Sequence, residues 1–157
     1  VRKLAERLGI DCIQTRMADM SDRLPEGLGR FDRVLLDAPC TATGTIRRHP
    51  EIKWRLLPQD VEQLCQLQRK LLENVAGLVA EDGVLVYSVC SLDEREGRSQ
   101  VKDFLERHPE FEPVDPRRVS QSRWEPFTDQ EGFFWIWPPA HGLDGFFAAR
   151  LKRRKGG

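Results

Sequence analysis

The 157-residue chain has no surplus of either charge, with 25 Lys and Arg against 25 Asp and Glu. A zero formal charge excludes the broad electrostatic field by which strongly basic proteins gather nucleic acid, so such a partner has to be met by local patches. No stretch approaches the ~20 apolar residues that span a bilayer. No signal-peptide pattern is present either, so the chain is expected to be soluble and cytoplasmic. The four cysteines, Cys12, Cys40, Cys65 and Cys90, form no C-x-x-C pair. That spacing argues against zinc and thioredoxin-like sites, and a reducing compartment argues against a disulfide framework. His108 and His141 have no ligand partners at metal spacing, so no metal is expected. Internal repeats and low-complexity tracts are absent, and the length fits a single domain with a real core.

What is present is an alternation of helical and strand patterns. Residues 1–8 read as the end of a helix, with Leu4 and Leu8 on one face and Gly9 as C-cap. A weak strand over residues 12–17 ends near Asp19, and residues 21–30, with Pro25, Gly27 and Gly29, read as a loop. Residues 33–37 form a short apolar strand of the kind buried on both faces of a parallel sheet. A helix over residues 58–80 carries Val61, Leu64, Cys65, Leu71, Leu72, Val75, Leu78 and Val79 at helical spacing. Residues 81–83 then turn into a strand over 84–89, which a right-handed crossover makes parallel to the first. Ser91 and Glu94 suggest a capping box for a helix bearing Val101, Phe104 and Leu105. Further strands are expected over 111–115, 133–137 and 145–151, with an exposed loop over 117–132 and a basic tail over 152–157.

Chemistry is suggested by two stretches, Asp37-Ala38-Pro39-Cys40 and Ser88-Val89-Cys90-Ser91, each placing a cysteine just past a buried strand. Open α/β sheets keep their active sites at that edge. Neighbouring strands lie about 4.8 Å apart, so both thiols are expected to open onto one cleft. A helix starting near Ser91 would favour the Cys90 thiolate through its dipole. Asp37 is placed to hydrogen-bond a ring nitrogen as the thiolate adds to an electron-poor ring.

The stretch Asp37-Ala38-Pro39-Cys40-Thr41-Ala42-Thr43-Gly44, continued by Ile46-Arg47-Arg48-His49-Pro50-Glu51-Ile52-Lys53-Trp54, resembles the fourth motif of the Nop/Sun family of RNA cytosine-5 methyltransferases. Tyr87-Ser88-Val89-Cys90-Ser91-Leu92 resembles the sixth, and Asp144-Gly145-Phe146-Phe147 resembles the closing strand. The likeness covers most of the chain after Phe31 and is nearest to the bacterial branch acting on small-subunit ribosomal RNA. It implies an α/β, Rossmann-like S-adenosylmethionine-dependent fold with sheet order 3-2-1-4-5-7-6. The chain would be the C-terminal portion of one catalytic domain, a monomer working on RNA, with the first two strands absent.

The resemblance further implies that Cys90 attacks carbon 6 of a cytosine, turning the ring into an enamine-like nucleophile at carbon 5. Cys40 would assist release, and Asp37 would bind and polarise the base, which has to leave any stack to reach the pocket. Asp19 would contact the adenosine portion of the cofactor, with Asp37, Ala38 and Pro39 also at the cofactor site. This sequence departs from the family at Thr41-Ala42 (commonly Ser-Gly), Val89 (commonly Thr) and Gly97 (commonly Asn). The glycine-rich cofactor loop and the acidic ribose-binding strand are expected before Val1.

Blander readings stand beside these. Cys12 and Cys65 read as core residues, Asp19 also fits a strand-end turn, and Arg47, Arg48 and His49 form either a phosphate-contacting cluster or a solvated loop. The aromatic run Phe133-Phe134-Trp135-Ile136-Trp137 reads as sheet packing, and the basic tail as solvated or as a source of sequence-independent RNA affinity. Exocyclic-amine methyltransferases are disfavoured because no aromatic follows Asp37-Ala38-Pro39. A catalytically inactive RNA-binding or assembly module remains the non-enzymatic alternative. Isothermal titration of the 157-residue chain is expected to show weak or no binding of S-adenosylmethionine and no turnover; micromolar affinity would show that the expected upstream loop is dispensable.

Overall fold

The computed structural model describes residues 1–22 and 24–156. Arg23, in the expected loop, and Gly157, at the end of the expected tail, lie outside the described residues. The elements are α1 (Arg2–Arg7), β1 (Phe31–Asp37), α2 (Ile52–Arg55), α3 (Pro58–Ala76), β2 (Val79–Val89), α4 (Arg98–Arg107), β3 (Phe111–Pro113), α5 (Gln121–Trp124), β4 (Phe134–Ile136), α6 (Pro138–His141) and β5 (Phe146–Arg153). The sheet runs β1-β2-β5-β3, with β4 also pairing with β5. β1 and β2 are parallel, whereas β5 is antiparallel to β2, β3 and β4. This is the 4-5-7-6 half of the sheet order implied by the resemblance.

The core lies on one face of that sheet. Leu85, Tyr87 and Val89 of β2 stand opposite Leu151, Ala149 and Phe147 of β5. All are essentially without solvent contact. Leu72 and Val75 of α3 and Val101 and Phe104 of α4 complete the cluster. α3 begins where Asp60 accepts a hydrogen bond from the Leu57 N–H at 2.8 Å, half of a capping box. Asp103 of α4 binds Arg69 of α3 at 2.5 and 3.0 Å, and Arg107 pairs with Glu73. On the opposite face, Val86, Phe134, Phe146, Ala148 and Trp124 line a cavity of about 350 Å³.

Several expectations change. Residues 12–17 form no strand, and Cys12 and Met17 are exposed. Strand formation needs ladder partners, and the neighbours that the sheet order assigns to this segment are not in the chain. Cys12 is therefore not a core residue. β1 is not buried on both faces: among the described residues it pairs along one edge only, and Leu35 remains 69% exposed. α3 stops at Ala76, and Val79, read as helical, starts β2 by pairing with Phe31. A short apolar run satisfies both periodicities, so its neighbours decide. Leu4 and Leu8 stay exposed while Ala5 is the buried residue of α1.

Residues 117–132 are not featureless, because α5 and single 3-10 turns at 116–118 and 125–127 interrupt the loop. The tail is shorter than expected: Lys152 and Arg153 belong to β5, and Asp82 pairs with Lys152 at 3.3 Å and Lys155 at 2.9 Å. The aromatic run does pack the sheet, with Phe133 and Trp135 against the Phe147 ring. Among the described residues no helix is long and apolar enough to cross a membrane. Phe147 is fully buried and packs against Phe133 and Trp135, so Phe147→Ala is expected to cost ~3–5 kcal/mol in denaturant unfolding. A loss below 1 kcal/mol would show that this ring is not central to the packing.

Candidate active site

The parallel register sets Asp37, the last residue of β1, beside Ser88. One further ladder bond, Ala38 N–H to Ser88 C=O at 2.9 Å, carries the alignment past the strand end. Beyond it the chain turns through Pro39, Cys40 and Thr41, while Cys90 follows directly on β2. The Cys90 carbonyl accepts from Gly44 N–H at 3.0 Å, and the Gly44 carbonyl accepts from Gly145 N–H at 2.8 Å. Three loops thus meet at the carboxyl end of the parallel pair. A Cβ on Gly44 would lie 2.1 Å from the Gly145 carbonyl oxygen, so this crossing requires glycine. Ala42, where the family commonly has glycine, adopts the left-handed conformation at φ 56, a local strain on the order of 1 kcal/mol.

The two thiols face each other, with Cys40 Sγ and Cys90 Sγ 3.5 Å apart and both partly buried. A single proton between them splits their acidities. The Cys40 thiol donates to Cys90 and brings it down to about 7, against the opposing effects of burial and of the nearby Asp37 and Glu96 charges. The same bond, with burial, pushes Cys40 well above the ordinary thiol range. Near neutral pH Cys90 therefore gives up its proton more readily than Cys40. The physical cause differs from the one expected. α4 begins only at Arg98, so no helix N-terminus acts on Cys90. The expected Ser91 and Glu94 box is absent: Glu94 pairs with Arg98 instead, at 2.8 Å.

Asp37 is exposed at the cleft, and Ser88 Oγ donates to its Oδ1 at 3.0 Å, which orients the carboxylate. Ala38 is buried beneath it, and Pro39 is exposed, with its carbonyl held by Gln68 Nε2 at 2.9 Å. Asp19 is not drawn into this cluster. It is exposed and heads a turn, accepting from Ser21 N–H at 2.9 Å and Ser21 Oγ at 2.7 Å, bonds that hold its carboxyl below the usual range. The turn is anchored to α3 by Asn74 Nδ2, which donates to the Met20 carbonyl at 2.9 Å. Cys65 is half-buried on α3, where its thiol donates to the Arg95 carbonyl at 3.4 Å and burial makes it less acidic than an ordinary thiol. Arg47 and Arg48 are exposed and both pair with Asp144, which precedes Gly145.

Sequence reasoning missed the residue that binds the loops together. Glu96 has no solvent exposure, and its carboxylate accepts from Thr41 N–H at 2.9 Å, Thr41 Oγ at 2.5 Å, Ser91 Oγ at 2.5 Å and Gln68 Nε2 at 3.0 Å. Its carbonyl accepts from Tyr87 OH at 2.5 Å. A charged residue in a polar stretch reads as surface, and nothing local distinguishes Glu96 from Glu94. The available signal was the hydroxyl-rich pair Thr41 and Ser91, one beside each cysteine. Among the described residues no cluster of three or more metal-type ligands occurs.

Similarity to known proteins now bears on this geometry. The family described as 16S rRNA methyltransferase RsmB/F matches residues 1–152. A protein of Thermus thermophilus named ribosomal RNA small subunit methyltransferase B is 46% identical over 153 residues, covering 96% of this chain and 35% of that protein. The crystal structure of PH0851 superposes with a TM-score of 0.85 at 38% identity, over 97% of this chain and 33% of the other. NSun6 from Pyrococcus horikoshii with SFG gives 0.79 at 25% identity, over 99% and 38%. The chain spans about a third of the length of the curated relatives it matches.

Iodoacetamide labelling followed by peptide mapping is expected to modify Cys90 ahead of Cys40, with an apparent pKa of about 7. Removing the donor in Cys40→Ala should raise the Cys90 value toward the ~8.5 of a free thiol. No change in that variant would contradict the shared-proton description.

Proposed function

The chain belongs to the 16S rRNA methyltransferase RsmB/F family, and from that premise we propose that it supplies the base-activating half of an S-adenosylmethionine-dependent RNA cytosine-5 methyltransferase acting on small-subunit ribosomal RNA. The observation that carries the reading is the 3.5 Å thiol pair beside Asp37, with one member ionised near neutral pH. A thiolate is what conjugate addition to a cytosine ring demands, since carbon 5 is too weak a nucleophile unaided.

The residues that would hold the cofactor fit it chemically. Asp37 and Pro39 are exposed at the carboxyl end of β1, whose outer edge is open, and Asp19 offers an ionised carboxylate for the adenosine portion. The similar NSun6 was solved with SFG, an analogue of this cofactor, which supports the use of S-adenosylmethionine. S-adenosylmethionine, when bound, supplies the electrophilic methyl group.

The protein's own groups do the rest. Asp37 holds the cytosine by accepting from its 4-amino group and, as the thiolate adds, from ring N3 once that nitrogen has taken up a proton, in a carboxylate orientation set by Ser88. The Cys90 thiolate forms a bond to carbon 6, the 5,6 double bond opens, and the electron pair becomes available at carbon 5. After methylation at carbon 5, the proton there passes to solvent water, its bonding pair re-forms the 5,6 double bond, and the pair of the Cys90 Sγ–carbon 6 bond leaves with the sulfur. Cys40, whose proton-bearing thiol lies against the departing sulfur, assists that release.

In the intact protein, Cys90→Ala is expected to abolish methylation of ribosomal RNA, and retained turnover would defeat the covalent mechanism. Cys40→Ala is expected to slow release and to leave an RNA adduct stable to denaturing electrophoresis, whereas the double variant should form none.

A further inference from the structure

We propose that Glu96 is the positioning residue of the cysteine pair: its buried carboxylate clamps the loop carrying Cys40 to the loop carrying Cys90 and so sets the distance between the two thiols. The catalytic consequence rests on the function proposed above, while the effect on the thiols stands without it.

Three observations support this. Glu96 is fully buried, and the four donors to its carboxylate are all neutral groups, so it is not half of a salt bridge. A buried carboxylate is costly unless its oxygens are satisfied, so these bonds hold the donors as firmly as the donors hold it. The donors are also apportioned in a telling way. Thr41 follows Cys40 directly and contributes both its backbone N–H and its hydroxyl. Ser91 follows Cys90 directly and contributes its hydroxyl. Each oxygen of one carboxylate therefore restrains a residue adjacent to a reactive thiol.

The remaining contacts extend the clamp to the scaffold. Gln68 of α3 binds Glu96 and, through the same amide nitrogen, the Pro39 carbonyl that precedes Cys40. Tyr87 of β2, itself fully buried, fixes the Glu96 backbone. Thr43 bridges the two loops a second time, with its hydroxyl 3.1 Å from Ser91 Oγ and accepting from Leu92 N–H at 2.9 Å. The loops are otherwise joined by the Thr41 Oγ to Ser91 Oγ contact at 3.2 Å, by the thiol contact itself and by the Gly44 N–H to Cys90 carbonyl bond.

Charge and clamping predict opposite signs for the same substitution. The groups facing Cys90 are Asp37 at the end of β1, Cys40 in the loop after it, and Glu96 in the loop before α4. As a charge, Glu96 opposes the thiolate, so its loss would make Cys90 more acidic. As a clamp it brings the Cys40 donor into place, so its loss would make Cys90 less acidic. In Glu96→Gln the amide oxygen can keep Thr41 N–H and Gln68, while the amide nitrogen donates to the two hydroxyls, preserving the clamp without the charge.

The test is the pH profile of iodoacetamide labelling at Cys90, read by peptide mapping on intact protein whose fold is checked by circular dichroism. Glu96→Ala is expected to raise the apparent pKa from about 7 toward ~8.5. Thr41→Val, which removes one hydroxyl donor and retains the backbone bond, should move it the same way by less. Glu96→Gln should leave it near 7 or lower. A fall in both Glu96 variants would identify a simple charge effect, and an unchanged profile in folded Glu96→Ala would reduce the residue to a structural role; either result overturns the proposal. Should Glu96→Ala fail to fold, an unchanged profile in Thr41→Val overturns it instead. Because labelling needs no methyl transfer, failure of the proposed activity and failure of the clamp give separate results.

Discussion

Everything at the site follows from the parallel pairing of β1 with β2 in the register that sets Asp37 beside Ser88. Residues alternate faces along a strand, so a one-residue slip would turn Asp37 away from Ser88 and move the cysteine loops out of reach. The register is held from both sides. α3 forms the crossover that makes the strands parallel, and β5 pairs along residues 84–89 of β2, leaving that strand no freedom to slide. The buried face of β2 and β5 supplies the driving force, since Tyr87, Val89 and Phe147 can be withdrawn from water together only in this alignment.

On that frame, chemical asymmetry arises from two residues of the same type. Cys40 and Cys90 are both partly buried and face one another, yet one is acidified and the other made more basic. The difference needs no nearby cation, because a thiol that donates stabilises the neighbouring thiolate and becomes harder to ionise itself. The arrangement is sensitive to distance. It accounts for the density of neutral hydroxyl and amide groups around Glu96, where a charged clamp partner would shift the balance of the pair.

The coverage of the sheet is uneven. One face is packed by α3 and α4, while β1 keeps an open edge and the other face of β2 and β5 is only half-buried. The two thiols are partly buried beside the packed face, and the exposed Asp37, Pro39 and Asp19 lie toward the open side. In the proposed reaction, this division matches a rigid centre for bond-making on the base and an accessible margin for the methyl donor.

The motifs Asp37-Ala38-Pro39-Cys40 and Ser88-Val89-Cys90-Ser91 and the alternation of elements were legible in the chain because they are local patterns of apolar spacing and residue type, whereas the order of the closing strands came from the family resemblance. The wrong readings share one cause. Residues 12–17 look like a strand, Leu35 looks buried and Val79 looks helical, but strand pairing and burial depend on neighbours distant in sequence. The sequence by itself determined which residues are available for the proposed chemistry, since thiols and carboxylates do not change identity on folding. Only the tertiary structure decided which thiol ionises and which glutamate is buried, because acidity and burial belong to the surroundings. Those surroundings come from residues about 50 positions apart, brought within hydrogen-bond distance by one parallel pair of strands.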